Sequence, residues 1–303
     1  YRGTYLVCEK VELGTTRLDL NDPKGVLMEQ DEAFYASEDI WIENHSTGKH
    51  FVVKESVTED DSALLQEAVK DFDDTLTALM AYMATTPNET ITLDALSRYI
   101  DVDSFLQYYL VNEFALNRES STTSFYWYKD GEQDVLHLGP VWDFDTCMGN
   151  DLKSADSSRT VHIFNHIVFQ RLLSIPAVRD ELGKLMENHA VAFGSMDENV
   201  ISLYDLLQTS AAMNYTRWDD LKGGFSGKGT YFAGTYPDAK ENLRTWLEKR
   251  EEGFPVESIL QSLSQLDLLV DLDRARMDLS FTGADAGENL WFVVWSEENG
   301  RDD

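Results

Sequence analysis

An α+β fold with a small β-rich N-terminal part and a larger, mainly helical remainder is the architecture this 303-residue sequence predicts. Three observations carry the prediction. Short runs with a two-residue alternation crowd residues 1–58, runs with a helical period dominate from residue 59 onward, and one hairpin signature interrupts the helices at residues 125–138.

In the first region strands are expected at Tyr5-Leu6-Val7-Cys8-Glu9, Arg17-Leu18-Asp19-Leu20, Val26-Leu27-Met28-Glu29, Trp41-Ile42-Glu43 and His50-Phe51-Val52-Val53-Lys54, with a Pro23-Lys24-Gly25 turn between the second and third. Glu29 and Lys54, carried on such strands, could face a cleft but read first as ordinary surface charges. The chain opens inside the strand Thr4-Tyr5-Leu6-Val7 without a starting Met, as expected of a mature or truncated piece of a longer product.

Residues 59–86 read as one long amphipathic helix. Leu64, Leu65, Phe72, Leu76, Leu79, Met80 and Met83 keep the helical period, Asp60-Asp61-Ser62 supply the cap, and Pro87 stands past the end. A shorter helix at Leu93–Tyr99 leads to Asp101, which can cap a helix whose apolar residues Val102, Phe105, Leu106, Tyr109, Leu110 and Phe114 recur at spacings of three and four. That helix ends at Asn117-Arg118-Glu119-Ser120-Ser121-Thr122-Thr123-Ser124, where side chains that bond their own backbone favour a loop. Phe125-Tyr126-Trp127-Tyr128 and Val135-Leu136-His137-Leu138 then enclose a turn rich in Asp and Gly. Further helices are expected around 161–174, 177–193, 196–216 and 238–253, and a last strand at Leu290–Trp295.

Composition narrows the function. Acids outnumber bases 55 to 25, for a formal charge of -30, which repels phosphate backbones and argues against nucleic-acid binding. No stretch approaches the ~20 apolar residues of a membrane-spanning helix. Cys8 and Cys147 lie far apart in no metal-ligand spacing; they could pair as a disulfide, but two buried thiols are the commoner outcome of such a pattern. His162 and His166 are four apart, a ligand spacing on a helix, but lack a neighbouring carboxylate motif and read as a surface pair. Gly223–Thr230 resembles a phosphate loop in composition yet breaks its pattern, because Gly229 separates Lys228 from Thr230. Sequons stand at Asn44, Asn88 and Asn214.

The chemistry concentrates after the hairpin, at Gly139-Pro140-Val141-Trp142-Asp143-Phe144-Asp145. On an extended segment Asp143 and Asp145 would share one face and outline a hard-cation site. An acid in a polar loop, a side-chain oxygen five residues later, a hairpin and then Asp-Phe is the order in which protein kinases present catalytic loop and metal-binding Asp; here the residues are Glu119, Ser124 and Asp143-Phe144-Asp145.

These residues resemble the CotH (spore-coat protein H) family of atypical kinases. The resemblance rests on Tyr1-Arg2-Gly3-Thr4-Tyr5-Leu6-Val7-Cys8-Glu9, on Asp101-Val102-Asp103-Ser104-Phe105, on the Asn117-x-acid loop with Ser124 and Tyr128, and on Gly139–Asp145 with Gly149-Asn150; a helix with Trp246-Leu247 and Arg250 extends it more loosely. It implies a kinase-like fold that lacks part of its N-terminal lobe: residues 1–58 as what remains of that lobe, 59–279 as the lobe with catalytic loop and metal-binding hairpin, and 280–303 as a terminal strand or the start of a following domain. It implies transfer of the ATP γ-phosphoryl group to a protein Ser hydroxyl, at the surface of a cell or spore or outside the cell. Asp143 and Asp145 would hold Mg²⁺ or Mn²⁺, Glu119 and Asp143 would be catalytic, and Glu9, Asn117 and Ser124 would serve the nucleotide and its metal. A protein substrate is implied, and the 12% aromatic content suits either a carbohydrate-facing surface on a secreted multidomain protein or an aromatic core. The family's usual loop acid is Asp, and Glu119 sets the carboxylate out by about 1 Å. Two other readings therefore stand beside the active kinase. One is a catalytically inactive CotH-like binding or adhesion module, the other a structural secreted domain whose Asp pair binds Ca²⁺.

Overall fold

The computed structural model describes residues 5–58, 61–150, 158, 161–218 and 235–252, and the backbone of four strands between residues 266 and 302. The chain divides into two units, Tyr1–Glu257 and Ser258–Asp303. In the first, strands β1 (Gly25–Gln30), β2 (Trp41–Asn44), β3 (Lys49–Ser56), β4 (Phe125–Asp130) and β5 (His137–Leu138) form one antiparallel sheet in the order β2-β3-β1-β4-β5. The hairpin predicted from residues 125–138 thus joins the sheet of the N-terminal region, with Glu29 opposite Tyr126 and Met28 opposite Trp127. An antiparallel α+β protein is the result, as the sequence predicts.

Helices follow: α1 (Ser62–Thr85), α2 (Leu93–Leu96), α3 (Val102–Ala115), α4 (Ile167–Leu173), α5 (Pro176–Phe193), α6 (Met196–Arg217) and α7 (Tyr236–Glu252). The capping logic holds at α1 and α3. The Asp61 carboxylate accepts from the amides of Ala63 and Leu64, and that of Asp101 from the amide of Ser104. α3 is buried nearly all round, including Tyr108, Asn112 and Glu113, rather than along one face. It is the central post of the fold. Trp127, fully buried on β4, joins sheet and helices, with ring centroids 5.7 Å from Phe51, 6.4 Å from Phe72 of α1 and 5.3 Å from Phe105 of α3.

The second unit holds two antiparallel pairs, β6 (Leu266–Asp271) with β7 (Arg276–Phe281) and β8 (Val294–Ser296) with β9 (Gly300–Asp302). Of the terminal strand expected at Leu290–Trp295, Val294 and Trp295 lie in β8 and Leu290–Val293 outside the described residues. Gly223–Thr230 also lies outside them.

Several expectations fail for identifiable reasons. Tyr5–Lys10 form no strand and Leu6 and Val7 are 87% and 94% exposed, because no neighbouring strand pairs with them among the described residues. Arg17–Leu20 form no strand either, and Leu18 makes only an isolated bridge to Leu13. Cys8 is exposed and Cys147 buried, and they are not bonded to each other. Asn44 is fully buried, its amide donating to Asp73 and Thr77, so its sequon offers no free acceptor nitrogen in the folded protein.

The two histidines do not share a helix. Ile163–Asn165 form a 3₁₀ turn between them, His162 meets Ser121 and the Arg118 carbonyl at 2.8 Å, and His166 is buried against Phe125 and Trp127 with its Nε2 2.8 Å from Gln30 Oε1. Burial pushes the His166 pKa down to about 3. The folded state therefore keeps it neutral while the unfolded chain takes a proton below pH ~6.5, so its contribution is intact above that pH and is lost as pH falls toward 3. Urea unfolding should show stability lower by about 2 kcal/mol at pH 5 than at pH 7 from this group, and His166→Phe should remove that part of the slope. An unchanged slope in the variant would assign the acid sensitivity elsewhere.

Candidate active site

The site begins where α3 stops. Leu116 takes a left-handed conformation (φ 52°), its amide bonds the Glu113 carbonyl, and the Asn117 amide bonds the carbonyl of Asn112, closing the helix in the paired pattern usually given to glycine. Leu116 holds that strained geometry because its side chain is fully buried with Phe114, Trp246 and Leu247.

Asn117, fully buried, is the pin beneath the site. Its Nδ2 donates to Asn112 Oδ1 (3.1 Å) and to the backbone carbonyl of Asp143 (3.1 Å), and its Oδ1 accepts from the Glu119 amide (3.2 Å). One side chain thereby ties the helix end, the acidic loop and the acidic turn. Glu119 opens a short 3₁₀ turn, Glu119–Ser121.

The acidic turn is not extended, contrary to the geometry assumed from the sequence. Asp143 has φ 60°, and the chain bends through successive turns held by Cys147 N to Phe144 O and Asn150 N to Cys147 O, because the Met148 amide must reach the Ala115 carbonyl (2.8 Å) at the end of α3. The carboxylates converge all the same. Glu119, Asp143 and Asp145 each bring one oxygen to within 4.8 Å of the others, and Ser124 Oγ donates to Asp143 Oδ2 at 3.4 Å. Burial first, then the charge of Asp145, raises the pKa of Asp143. Oxygens sharing a Mg²⁺ at about 2.1 Å stand about 3–4 Å apart, and those sharing Ca²⁺ at about 2.3–2.6 Å up to about 5 Å, so the carboxylate set fits a hard divalent cation after little or no contraction.

Gly149 seals the turn against α7. It has φ 80°, and a Cβ there would meet Trp246 Cδ1 at 2.6 Å. Gly149→Ala is expected to destabilise the protein by about 1–3 kcal/mol through that clash, plus about 1 kcal/mol for a left-handed alanine. A thermal melt matching wild type would show that the ring moves aside freely.

Beside the acidic turn lies a cavity of about 570 Å³ lined by Glu9, Arg17, Tyr128, Pro140, Val141 and Trp142 among others, a volume in the range of small-molecule sites. Trp142 is thus in its wall, and Asp143 is the next residue. The structure brings Glu119, Ser124, Asp143 and Asp145 together, puts Glu9 in the adjoining cavity, and sets Asn117 below the loop with its amide already committed to protein partners. Glu29, read from the sequence as a surface charge, belongs here as well, while Lys54 stays at the surface beside it. Glu29 is only 7% exposed, its Oε1 accepting from the Ser124 amide (2.9 Å) and its Oε2 meeting Lys54 Nζ (3.1 Å). The signal was available, since Glu29-Gln30 continue a wholly apolar strand without a turn residue between them.

An antiparallel sheet, a central buried helix, and a loop acid facing an Asp-Phe-Asp turn define a kinase-like protein. The chain belongs to the family described as CotH kinase protein, whose model matches residues 1–253. Comparison with curated proteins finds no match. The family in general uses ATP and a divalent metal, and it is associated with the spore coat. No helix among the described residues is long and apolar enough to cross a membrane.

Proposed function

We propose that the protein transfers the γ-phosphoryl group of ATP to a Ser hydroxyl of a protein acceptor, at a cell or spore surface or outside the cell. The observation that carries this reading is the convergence of Glu119, Asp143 and Asp145 within 4.8 Å beside a 570 Å³ cavity walled by Trp142 and Tyr128. The cavity's aromatic lining suits a purine, with Glu9 on its wall. Asp143 and Asp145 hold Mg²⁺ or Mn²⁺, and Ser124 orients Asp143. A bound cation supplies charge neutralisation at the β- and γ-phosphate oxygens, which a chain of net charge -30 would otherwise repel. Glu119 orients the acceptor hydroxyl and takes up its proton, and the rest of the work is positioning.

In this reading residues 1–58 are the smaller lobe's remainder, 59–279 the lobe with the catalytic loop and the metal-binding hairpin, whose strands extend the sheet of the first region, and 280–303 a terminal strand or the start of a following domain. Carbohydrate-associated multidomain proteins are the proposed company. The second reading, an inactive binding or adhesion module of a secreted protein, is favoured by one observation: the loop acid is Glu119 where the family's usual residue is Asp. Calorimetry of ATP with and without Mn²⁺ tests the site. Metal-dependent binding is expected, and equal weak binding or none in both titrations would refute the nucleotide site. Phosphate transfer to a Ser-containing acceptor protein then separates kinase from inactive module.

A further inference from the structure

Lys54 occupies a β-bulge. Along the β1–β3 ladder Met28 pairs with Val53 and Leu27 with Glu55, which leaves Lys54 as the extra residue, and bulges are a device for aiming a side chain near a functional site. Its Nζ lies 3.1 Å from Glu29 Oε2 and 3.5 Å from Glu38 Oε1. Glu29 stands on the central strand β1, buried, where an ionised carboxylate is retained only with partners for its charge. It has two. Lys54 takes one oxygen, and the other accepts from the Ser124 amide at 2.9 Å.

That amide belongs to a strained residue. Ser124 has φ 53°, a left-handed conformation unfavourable for serine, and in that conformation its hydroxyl lies 3.4 Å from Asp143 Oδ2. An unbroken series of contacts therefore runs from the bulge to the metal-binding carboxylate: Lys54, Glu29, Ser124, Asp143. A carboxylate is the stronger acceptor for an amide, and a packed sheet is a more rigid base than a loop.

We infer that Glu29 and Lys54 are a positioning pair for the acidic centre: Lys54 holds Glu29, and Glu29 locks the left-handed Ser124 turn that orients Asp143. The inference rests on the phosphoryl-transfer reading of that centre. It assigns no contact with metal to either residue, since the oxygens that converge are those of Glu119, Asp143 and Asp145.

The test uses the full chain with Glu29→Gln, Lys54→Met and Lys54→Arg, titrated by calorimetry with Mn²⁺ alone and with Mn²⁺ plus ATP, and melted in parallel. Residues that orient metal ligands affect affinity by about 10–100-fold, so Glu29→Gln and Lys54→Met should weaken Mn²⁺ binding by at least about 10-fold, while Lys54→Arg stays within roughly threefold of wild type. Melting temperatures should stay near wild type for Glu29→Gln, which fills the same space but offers the Ser124 amide only a weaker, neutral acceptor and loses the ion pair with Lys54. Wild-type affinity in Glu29→Gln and Lys54→Met would overturn the inference. So would losses of affinity that only follow losses of melting temperature across all three variants. If the wild-type chain takes up Mn²⁺ but no ATP, the proposed function fails and the Mn²⁺ titrations still decide the pair; if it takes up neither, both fail.

Discussion

Asp143→Asn should abolish Mn²⁺-dependent ATP binding, lowering affinity at least about 100-fold, while leaving the metal-free protein no less stable than wild type. Asn has the same shape, tolerates the left-handed φ of 60° and can still accept from Ser124 Oγ. Only the charge is lost. That charge is held under stress, because burial and the neighbouring Asp145 raise the pKa of Asp143. For a carboxyl whose pKa is higher folded than unfolded, the ionised form disfavours folding at neutral pH, and stability is regained as pH falls through the raised pKa. A bound cation relieves the same repulsion. Metal binding should therefore begin to weaken at a pH above the ordinary Asp range, and calorimetry at stepped pH with parallel thermal melts checks both halves. Undiminished Mn²⁺-dependent binding by Asp143→Asn would remove this residue from the site.

Arg250→Ala should produce the largest loss of stability, about 3–5 kcal/mol, or roughly 10 °C in melting temperature at about 2–4 °C per kcal/mol. Arg250 is fully buried on α7. It donates from Nε to the Phe114 carbonyl (2.9 Å), from Nη1 to the Ser158 carbonyl (2.8 Å) and from Nη2 to the Glu113 carbonyl, and its Nη2 lies 3.7 Å from Glu113 Oε1. Glu113 in turn accepts from the amides of His162 (2.8 Å) and Phe164 (3.0 Å). Burial pushes both partners toward neutrality, raising the pKa of Glu113 and lowering that of Arg250 to about 10, so neither charge tolerates losing the other. Two of the carbonyls that Arg250 gathers, those of Glu113 and Phe114, lie at the end of α3, directly before the acidic loop, and the variant should weaken Mn²⁺ binding too. Arg244→Ala on the same helix is the control. Its partners Glu241 and Glu248 are at the surface, where solvent screens the pairing, and its melting temperature should stay close to wild type. Equal melting temperatures for the two variants would contradict the buried network.

The parts of this site that were legible in the sequence are those set by neighbours along the chain. Asp61 and Asp101 cap the helices they precede, the residue runs at 125–138 form a hairpin, and the order loop acid, hydroxyl, hairpin, Asp-Phe-Asp announces a kinase-like centre before any coordinate is known. Errors fall where the deciding partner is remote. A strand rule placed Asp143 and Asp145 on an extended segment, but the bond from Met148 to Ala115 bends that segment back onto α3. Period counting put His162 and His166 on one helix face, whereas a 3₁₀ turn separates them and Gln30, far back in the chain, claims His166. Glu29 read as a surface charge although the apolar run Val26-Leu27-Met28 before it was a local sign of a buried strand; that β1 is the middle strand, with β3 on one side and β4 on the other, is set by remote pairing.

Fold class, the starts of α1 and α3, the hairpin and the choice of three candidate carboxylates came from the sequence alone, since each depends on side-chain chemistry acting over a few residues. Whether those carboxylates meet, which residue pins them and what lies buried beneath them was decided only by the tertiary structure. Asn117 reaches the acidic turn 25 and 26 positions on and Glu29 crosses from strand to loop over 95 positions, and no local pattern encodes contacts at such distances.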